Sequence, residues 1–493
     1  MPLHKVGQPT GRRKKKVLPE TPSDHRDKTK EKPPTTIKAA LAEELLPTFA
    51  RQVEQLPVPV EELPEFGHLA HVAEQIVRDE LILDGNARQN LATFVTTWMD
   101  SEARDLFADT LDKNMIDKDE YPQTAEIEAR CVDIISHLWN AKNEKTPTGC
   151  STVGSSEAVM LGGLAMKWRW RKKMEVAGKS TEKPNLVMGI NVQVVWEKFC
   201  RYWDVEPRYA PMKEGQYHLT PEGATALCDE NTIGVVGILG STYDGSYEPI
   251  KEIAAALDQL EQDKGWDIPI HVDAASGGFV APFIDPDLEW DFRIDRVKSI
   301  NSSGHKYGLV YPGVGWVIWS EPKDLPEDLV FNVNYLGGNM PTFALNFSRP
   351  GSQVIAQYYL FVRYGRTGYA AIQQACRNVA TYLSGEIDRI GPYELITDGS
   401  ELPVFLFKLK DSVKNYTVYD VSAKLRENGW LVPAYSLPAD LTDVSGLRIV
   451  VKNGFGRDLA DSLLDDLKRA TDWFESLEAP YPDDPDHSSS FHH

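Results

Sequence analysis

Residues 1–36 are rich in Lys, Pro and Thr and show no helical spacing of apolar side chains, so they read as a disordered basic arm. A helical segment is expected over 37–83: a short helix at 37–49, a Pro-broken stretch at 56–64 and a second helix at 68–83. Asp84-Gly85-Asn86 is a turn. Residues 124–139 place apolar side chains at helical spacing, with Thr124 the expected N-cap. Short apolar runs at 185–190, 232–239, 268–274, 297–300 and 314–319 then alternate with amphipathic stretches at 193–203 and 249–262. Strands separated by helices of that length predict βαβ units and a mainly parallel sheet. After about Gly368 the rhythm changes to helix 370–390, strand 403–410, helix 417–428, strand 447–451 and helix 457–475. The expected organisation is a large domain over 84–368, a small α+β domain over 369–478 and a flexible tail over 479–493.

Charge sharpens this division. The 493 residues carry 73 acids against 53 Lys and Arg, a net charge of −20. Residues 1–32 run the other way, with ten basic and four acidic side chains. A body that acidic repels nucleic acid, so no nucleic-acid partner is expected, and the arm reads as a solvated tail. No run approaches the roughly 18 apolar residues of a membrane span. Cys131, Cys150, Cys200, Cys228 and Cys376 are odd in number and contain no CxxC, which argues against a disulfide framework or a zinc site. They read as core residues in a reducing, cytoplasmic compartment.

The chemistry gathers in three segments. Lys306 follows Ser302-Ser303-Gly304-His305 at the end of a strand candidate, and Asp273 ends another in His271-Val272-Asp273-Ala274-Ala275. Ligands of open α/β sheets bind at the carboxyl ends of strands. A lysine for a Schiff base and a carboxylate for a protonated pyridine nitrogen are what a pyridoxal-phosphate enzyme needs. Gly154-Ser155-Ser156-Glu157-Ala158 precedes a helical run and offers N–H groups and hydroxyls to a phosphate. Each segment has a plainer reading alone: a surface lysine, a buried histidine at 305, an N-cap at GSSEA. The aromatic-rich KWRWRKKME (167–175) reads as a helix packing through its tryptophans.

Together with these segments, DGNARQNLATF (84–94), DKNMIDKDEYP (112–122), GSSEAVMLGG (154–163), FNVNYLGG (331–338) and NFSRPGSQVIAQYY (346–359) carry a resemblance to a known family. Over roughly residues 66–475 the chain resembles the bacterial glutamate decarboxylases of the group II pyridoxal-phosphate-dependent decarboxylases. The resemblance implies an aspartate aminotransferase-like fold (fold type I), with a mainly parallel seven-stranded sheet in the large domain. It implies conversion of L-glutamate to 4-aminobutanoate and CO2 on pyridoxal 5'-phosphate, consuming a proton and so linking the reaction to acid resistance. The alternatives are a decarboxylase of another amino acid, or a non-catalytic binding subunit of the same fold.

By position, the resemblance makes Lys306 the Schiff-base lysine and Asp273 the partner of the ring nitrogen. Ser155, Ser156 and His305 bind the phosphate, joined by Ser348 from a neighbouring subunit. Gln193 and Ala275 flank the ring, and Thr242 lies near its phenolic oxygen or the Asp273 carboxylate. Thr93, Phe94 and Asn114, with Asp117 nearby, form the pocket for the distal carboxylate, and Arg448 holds the α-carboxylate. Read without the family, Thr93 and Asn114 are turn or cap residues, Asp117 a helix-end acid and Arg448 an outward arginine on a strand. The resemblance further implies a dimer or hexamer with shared active sites, and membrane contact at most in acid. His492 or His493 would close the site near neutrality. Calmodulin is not an expected partner, because the tail lacks a basic, Trp-containing helix.

Overall fold

The computed structural model describes residue 46 and residues 61–65, 67–142, 147–333 and 340–481. The basic arm, the helix expected at 37–49 apart from residue 46, and His492 and His493 lie outside the described residues. The chain divides into two compact units, residues 1–84 and 85–493. In the first, helix α1 (Ala70–Glu80) runs into a 3-10 turn at Leu81–Leu83, filling most of the stretch expected at 68–83.

The second unit is built on a seven-stranded sheet. Its strands are β1 (Thr148–Thr152), β2 (Asn185–Gly189), β3 (Glu206–Ala210), β4 (Thr232–Ile238), β5 (Ile270–Asp273), β6 (Val297–Ser302) and β7 (Gly315–Trp319). They lie in the order β1-β7-β6-β5-β4-β2-β3. The run from β3 to β6 is parallel, while β7 and β1 join antiparallel at one edge. Every residue of β2, β4, β5 and β7 is buried, as expected for strands with covered faces. Helices α2 (Ser101–Asp109), α3 (Pro122–Leu138), α4 (Ser155–Val176), α5 (Val194–Tyr202), α6 (Pro221–Ala226), α7 (Ile250–Lys264) and the short α8 (Ala281–Ile284) belong to this part. A two-stranded ribbon follows, β8 (Phe331–Val333) with β9 (Met340–Thr342).

Helix α9 (Ser352–Asp388) leads from the large sheet to the small one. It was expected from residue 370; the structure starts it 18 residues earlier and bends it at Gly365, whose left-handed backbone (φ 57°) breaks the regular spacing. Beyond it, β10 (Tyr393–Leu395), β11 (Val404–Leu409), β12 (Ala434–Ser436) and β13 (Ser445–Val450) form an antiparallel sheet in the order β10-β11-β13-β12. Helices α10 (Val418–Arg426) and α11 (Arg457–Glu475) pack on it around Phe405, Phe407, Leu425, Leu447 and Leu463. Thr417 and Asp420 close a capping box at the start of α10.

Two local expectations change. Thr124 lies inside α3 and is not its cap: Pro122 opens the helix, where a missing N–H costs nothing, and Tyr121 is the N-cap. Strands β1 (TGCST) and β3 (EPRYA) carry no apolar run to announce them, and both lie at sheet edges.

Candidate active site

The parallel strands deliver their carboxyl ends to one cavity of about 260 Å³. Thr242 follows β4, Asp273 ends β5, and Ser303, His305 and Lys306 follow β6; all five line it. The lysine turn is fixed from both sides. Ser303 N–H donates to Ala275 O (3.1 Å), while Thr96 donates its N–H to His305 O (2.7 Å) and its hydroxyl to Lys306 O (2.6 Å). A Cβ on Gly308 would lie 2.5 Å from Gly304 O, so this tight turn requires glycine there.

Lys306 Nζ donates to Ser276 Oγ (3.3 Å) and lies 5.2 Å from the centre of the Phe94 ring. Burial pulls its ammonium down to about 8; Asp273 opposes that shift and Arg448 adds to it. A near-neutral ε-amine is the form that attacks an aldehyde. The Asp273 carboxylate is buried and accepts Trp196 Nε1–H on Oδ2 (2.9 Å), and Asn301 Nδ2–H (3.0 Å) and Ala275 N–H (3.2 Å) on Oδ1.

Opposite these groups, α4 begins at Ser155 without a side-chain cap, so its first-turn N–H groups face the cavity wall formed by Gly154, Ser155 and Ser156. Ser303 Oγ donates to Ser155 Oγ (2.7 Å). His305 Nδ1 accepts both Gly313 N–H and Val314 N–H (3.2 Å each), so the ring's hydrogen sits on Nε2. Burial, with the Lys306 charge beside it, pulls the imidazole down to about 4 and keeps it neutral across the ordinary pH range. A Cβ on Gly154 would come within 2.9 Å of His305 Cε1, so glycine lets helix start and imidazole approach.

These residues fit pyridoxal 5'-phosphate. The bare helix start, the Ser155 and Ser156 hydroxyls and the neutral His305 Nε2–H are donors suited to a phosphate. Asp273 offers an anion to a protonated pyridine nitrogen, and Lys306 an amine to an aldehyde. Ala275 and Gln193 also line the cavity; Gln193 Oε1 caps α5 by accepting Val195 N–H (2.6 Å). Thr242 is not a partner of the Asp273 carboxylate; its carbonyl instead accepts from Arg448.

The expected substrate residues divide. Phe94 is buried, with Lys306 Nζ on its ring and the Arg448 guanidinium 4.8 Å from the ring centre. Thr93 precedes it, and its hydroxyl accepts Val95 N–H (3.1 Å). Arg448 is half-buried rather than outward: it donates to the carbonyls of Thr242 and Ala92, and its Nε has no partner. Two donors are thereby committed to orienting the guanidinium plane, the buried Nε is closed off, and the remaining Nη hydrogens are uncommitted.

None of Thr93, Phe94, Arg448, Asn114, Asp117 and Ser348 lines the cavity itself; Phe94 is tied to it through Lys306 and carries Arg448 on its ring, whereas Asn114, Asp117 and Ser348 make no such contact. Asn114 and Ser348 instead meet each other, with Asn114 Nδ2 3.4 Å from Ser348 Oγ and Asn114 Oδ1 accepting Arg349 N–H (3.1 Å). Sequence reasoning passed over Thr96, Trp196, Ser276 and Asn301. Thr96 lies two residues beyond the Phe94 segment, and Asn301 and Ser299 alternate on β6 opposite Asp273 and His271 of β5; those were the available signals.

Comparison with known proteins places this geometry in a family. The family model "Pyridoxal-dependent decarboxylase conserved domain" matches residues 65–410. A glutamate decarboxylase of Aliivibrio fischeri is 52% identical over 463 residues, covering 93% of this chain and 100% of that protein. One of Lactococcus lactis is 48% identical, covering 91% and 97%. The solved glutamate decarboxylase of Lactobacillus brevis superposes with a TM-score of 0.86 at 47% identity, covering 88% of this chain and 99% of that one. The chain thus belongs to the pyridoxal-dependent decarboxylase family, among its glutamate decarboxylases.

Proposed function

We propose that this protein is a pyridoxal-phosphate-dependent carboxy-lyase that converts L-glutamate to 4-aminobutanoate and CO2, with one proton taken up at the α-carbon. The observation that carries this is the meeting of Lys306, Asp273 and the Ser155–Ser156 helix start around one cavity, with Phe94 and Arg448 beside the lysine. When bound, the cofactor supplies an electron sink for the bond to the departing carboxylate. The chain does the rest by holding and orienting. Lys306 anchors the cofactor through its amine, and its ammonium, which titrates at about 8, is the group placed to return a proton. Asp273 would pair as an anion with a protonated ring nitrogen, and Ser155, Ser156 and His305 would hold the phosphate.

Arg448 takes the α-carboxylate with its uncommitted N–H groups, and the Phe94 segment with Thr93 faces the distal one. Fixing both carboxylates sets which α-carbon bond stands ready to break. Asn114, Asp117 and Ser348 serve the site of a second copy, which makes a dimer the smallest active unit. That reading is supported by their standing together, Asn114 beside Ser348 and Asp117, with no contact to Lys306 of their own chain. The five described cysteines are buried and free, in keeping with a reducing cytoplasm.

The test is 4-aminobutanoate formed from L-glutamate by the purified protein with added cofactor, beside Lys306→Ala. Turnover is expected to fall by at least about 10³-fold in the variant. Product from another amino acid but none from glutamate would move the assignment to a different substrate.

A further inference from the structure

Parallel strands β5 and β6 are in register so that His271 faces Ser299 and Asp273 faces Asn301. Side chains alternate along a strand, so these four residues share one face of the sheet. They are linked in a row. Ser299 Oγ lies 2.7 Å from His271 Nδ1, His271 Nε2 lies 2.7 Å from Asn301 Oδ1, and Asn301 Nδ2 lies 3.0 Å from Asp273 Oδ1. The carboxylate decides the direction. An amide oxygen turned toward it would set acceptor against acceptor, so Asn301 presents Nδ2–H to Asp273. Asn301 Oδ1 can then only accept, which puts the imidazole hydrogen on His271 Nε2 and turns the Ser299 hydroxyl toward Nδ1. All three links therefore donate toward Asp273.

The row is sealed in. His271 and Asn301 are 0% exposed, and Trp196, which donates to the other carboxylate oxygen, sets its ring edge-on to His271 at 5.2 Å. A Cβ on Gly162 of α4 would lie 2.4 Å from His271 Cε1, so the helix backbone presses on the imidazole. Polar groups buried this deeply in a parallel sheet are costly unless fully paired, and apolar side chains would pack the same space. Resting on the reading of Asp273 as partner of the ring nitrogen, we propose that Ser299, His271 and Asn301 are positioning residues: their directed row keeps the Asp273 carboxylate an anion, so that the proton between it and the bound cofactor stays on the ring nitrogen. A carboxylate robbed of these donors is a stronger base and draws that proton to itself, which weakens the electron sink.

The experiment uses the full chain loaded with pyridoxal 5'-phosphate carrying 15N at the ring nitrogen. In the wild type the resonance is expected at the pyridinium position. Asn301→Asp keeps the shape but replaces the donor by a second anion. Its resonance should move toward pyridine and kcat should fall about tenfold or more, with KM for glutamate changed less than about threefold. His271→Leu, which leaves the Asn301 oxygen without its donor, should shift the resonance in the same direction by less. His271→Gln, which restores an N–H toward Asn301, should return it, and this pair carries the test if Asn301→Asp does not fold. A pyridinium resonance unmoved in variants that bind the cofactor overturns the row's role but leaves Asp273's intact. A pyridine-like resonance in the wild type overturns the reading of Asp273 itself.

Discussion

Around Lys306 the walls come from the carboxyl ends of parallel strands and one helix start, and polar groups there point inward at the cavity. The corner that carries Asn114 and Ser348 is arranged the other way, held from inside and polar on the outside. Behind it, the buried Arg349 donates to Ser151 Oγ (2.8 Å) and lies 3.6 Å from Glu128, whose carboxylate accepts Ser151 N–H (3.0 Å). The Asn346 N–H is taken by buried Glu157, one residue after Ser156, at 3.0 Å. Ser348 itself is exposed. Buried charges placed behind an exposed polar tip fix the tip's position without giving it a ligand in its own chain. The first region gathers its polar groups around one cavity of its own chain, and the second presents exposed polar groups outward, which suits the proposed role of the second at the site of another copy.

The comparison breaks most visibly by complementation. Lys306→Ala chains keep the corner, and chains with Asn114→Ala and Ser348→Ala keep the lysine; each alone should be close to inactive. If sites are shared, mixed dimers hold one intact site, and random pairing should restore about a quarter of wild-type turnover. Activity no higher than the sum of the two variants would return the corner to a local structural role. A smaller effect is expected at Arg448, where the two regions of the chain that flank Lys306 meet. Arg448→Lys keeps the charge but loses the planar fork whose two Nη atoms reach the Thr242 and Ala92 carbonyls while leaving N–H groups for a carboxylate. KM for glutamate should rise about 10- to 100-fold, the value of one or two hydrogen bonds to a charged group. An unchanged KM would mean that the α-carboxylate is held elsewhere.

Much of the cradle was legible in the sequence, because strand ends and helix starts have local signatures. HVDAA and SGHK each mark the point where an apolar run stops, and GSSEA the point where a helical run starts; the fold brings such points together. The antiparallel edge was not legible: β1 has no apolar run, and its pairing with β7 depends on residues 171 positions apart, Thr148 with Trp319. The division of the substrate residues was hidden for a related reason. Asn114 and Phe94 are 20 residues apart, but one faces Ser348 and the other Lys306, a choice made by long-range packing rather than local pattern. The donors behind Asp273 were readable only through register, since Ser299 and Asn301 look like ordinary polar interruptions until β6 is laid beside β5.

The last effect is the smallest and bears on why the cradle, and not the corner, holds the reactive amine. Burial and the nearby Arg448 bring the Lys306 ammonium down to about 8, whereas an ordinary lysine titrates near 10.5. Only the free amine condenses with the cofactor's aldehyde, so the rate of loading the apoprotein follows the fraction deprotonated. From pH 7 to pH 9 that fraction rises about tenfold for a group at 8, and about a hundredfold for an unshifted lysine. Dividing the loading rate, followed by absorbance, by the rate for a simple alkylamine of ordinary basicity cancels the cofactor's own ionisation. The ratio should then decline about tenfold across the interval. Arg448→Gln removes the positive neighbour while Asp273 remains, so its Lys306 should titrate higher and its ratio should decline less. A ratio flat in the wild type would mean that the cavity does not lower the lysine at all, and that its reactivity comes from geometry alone.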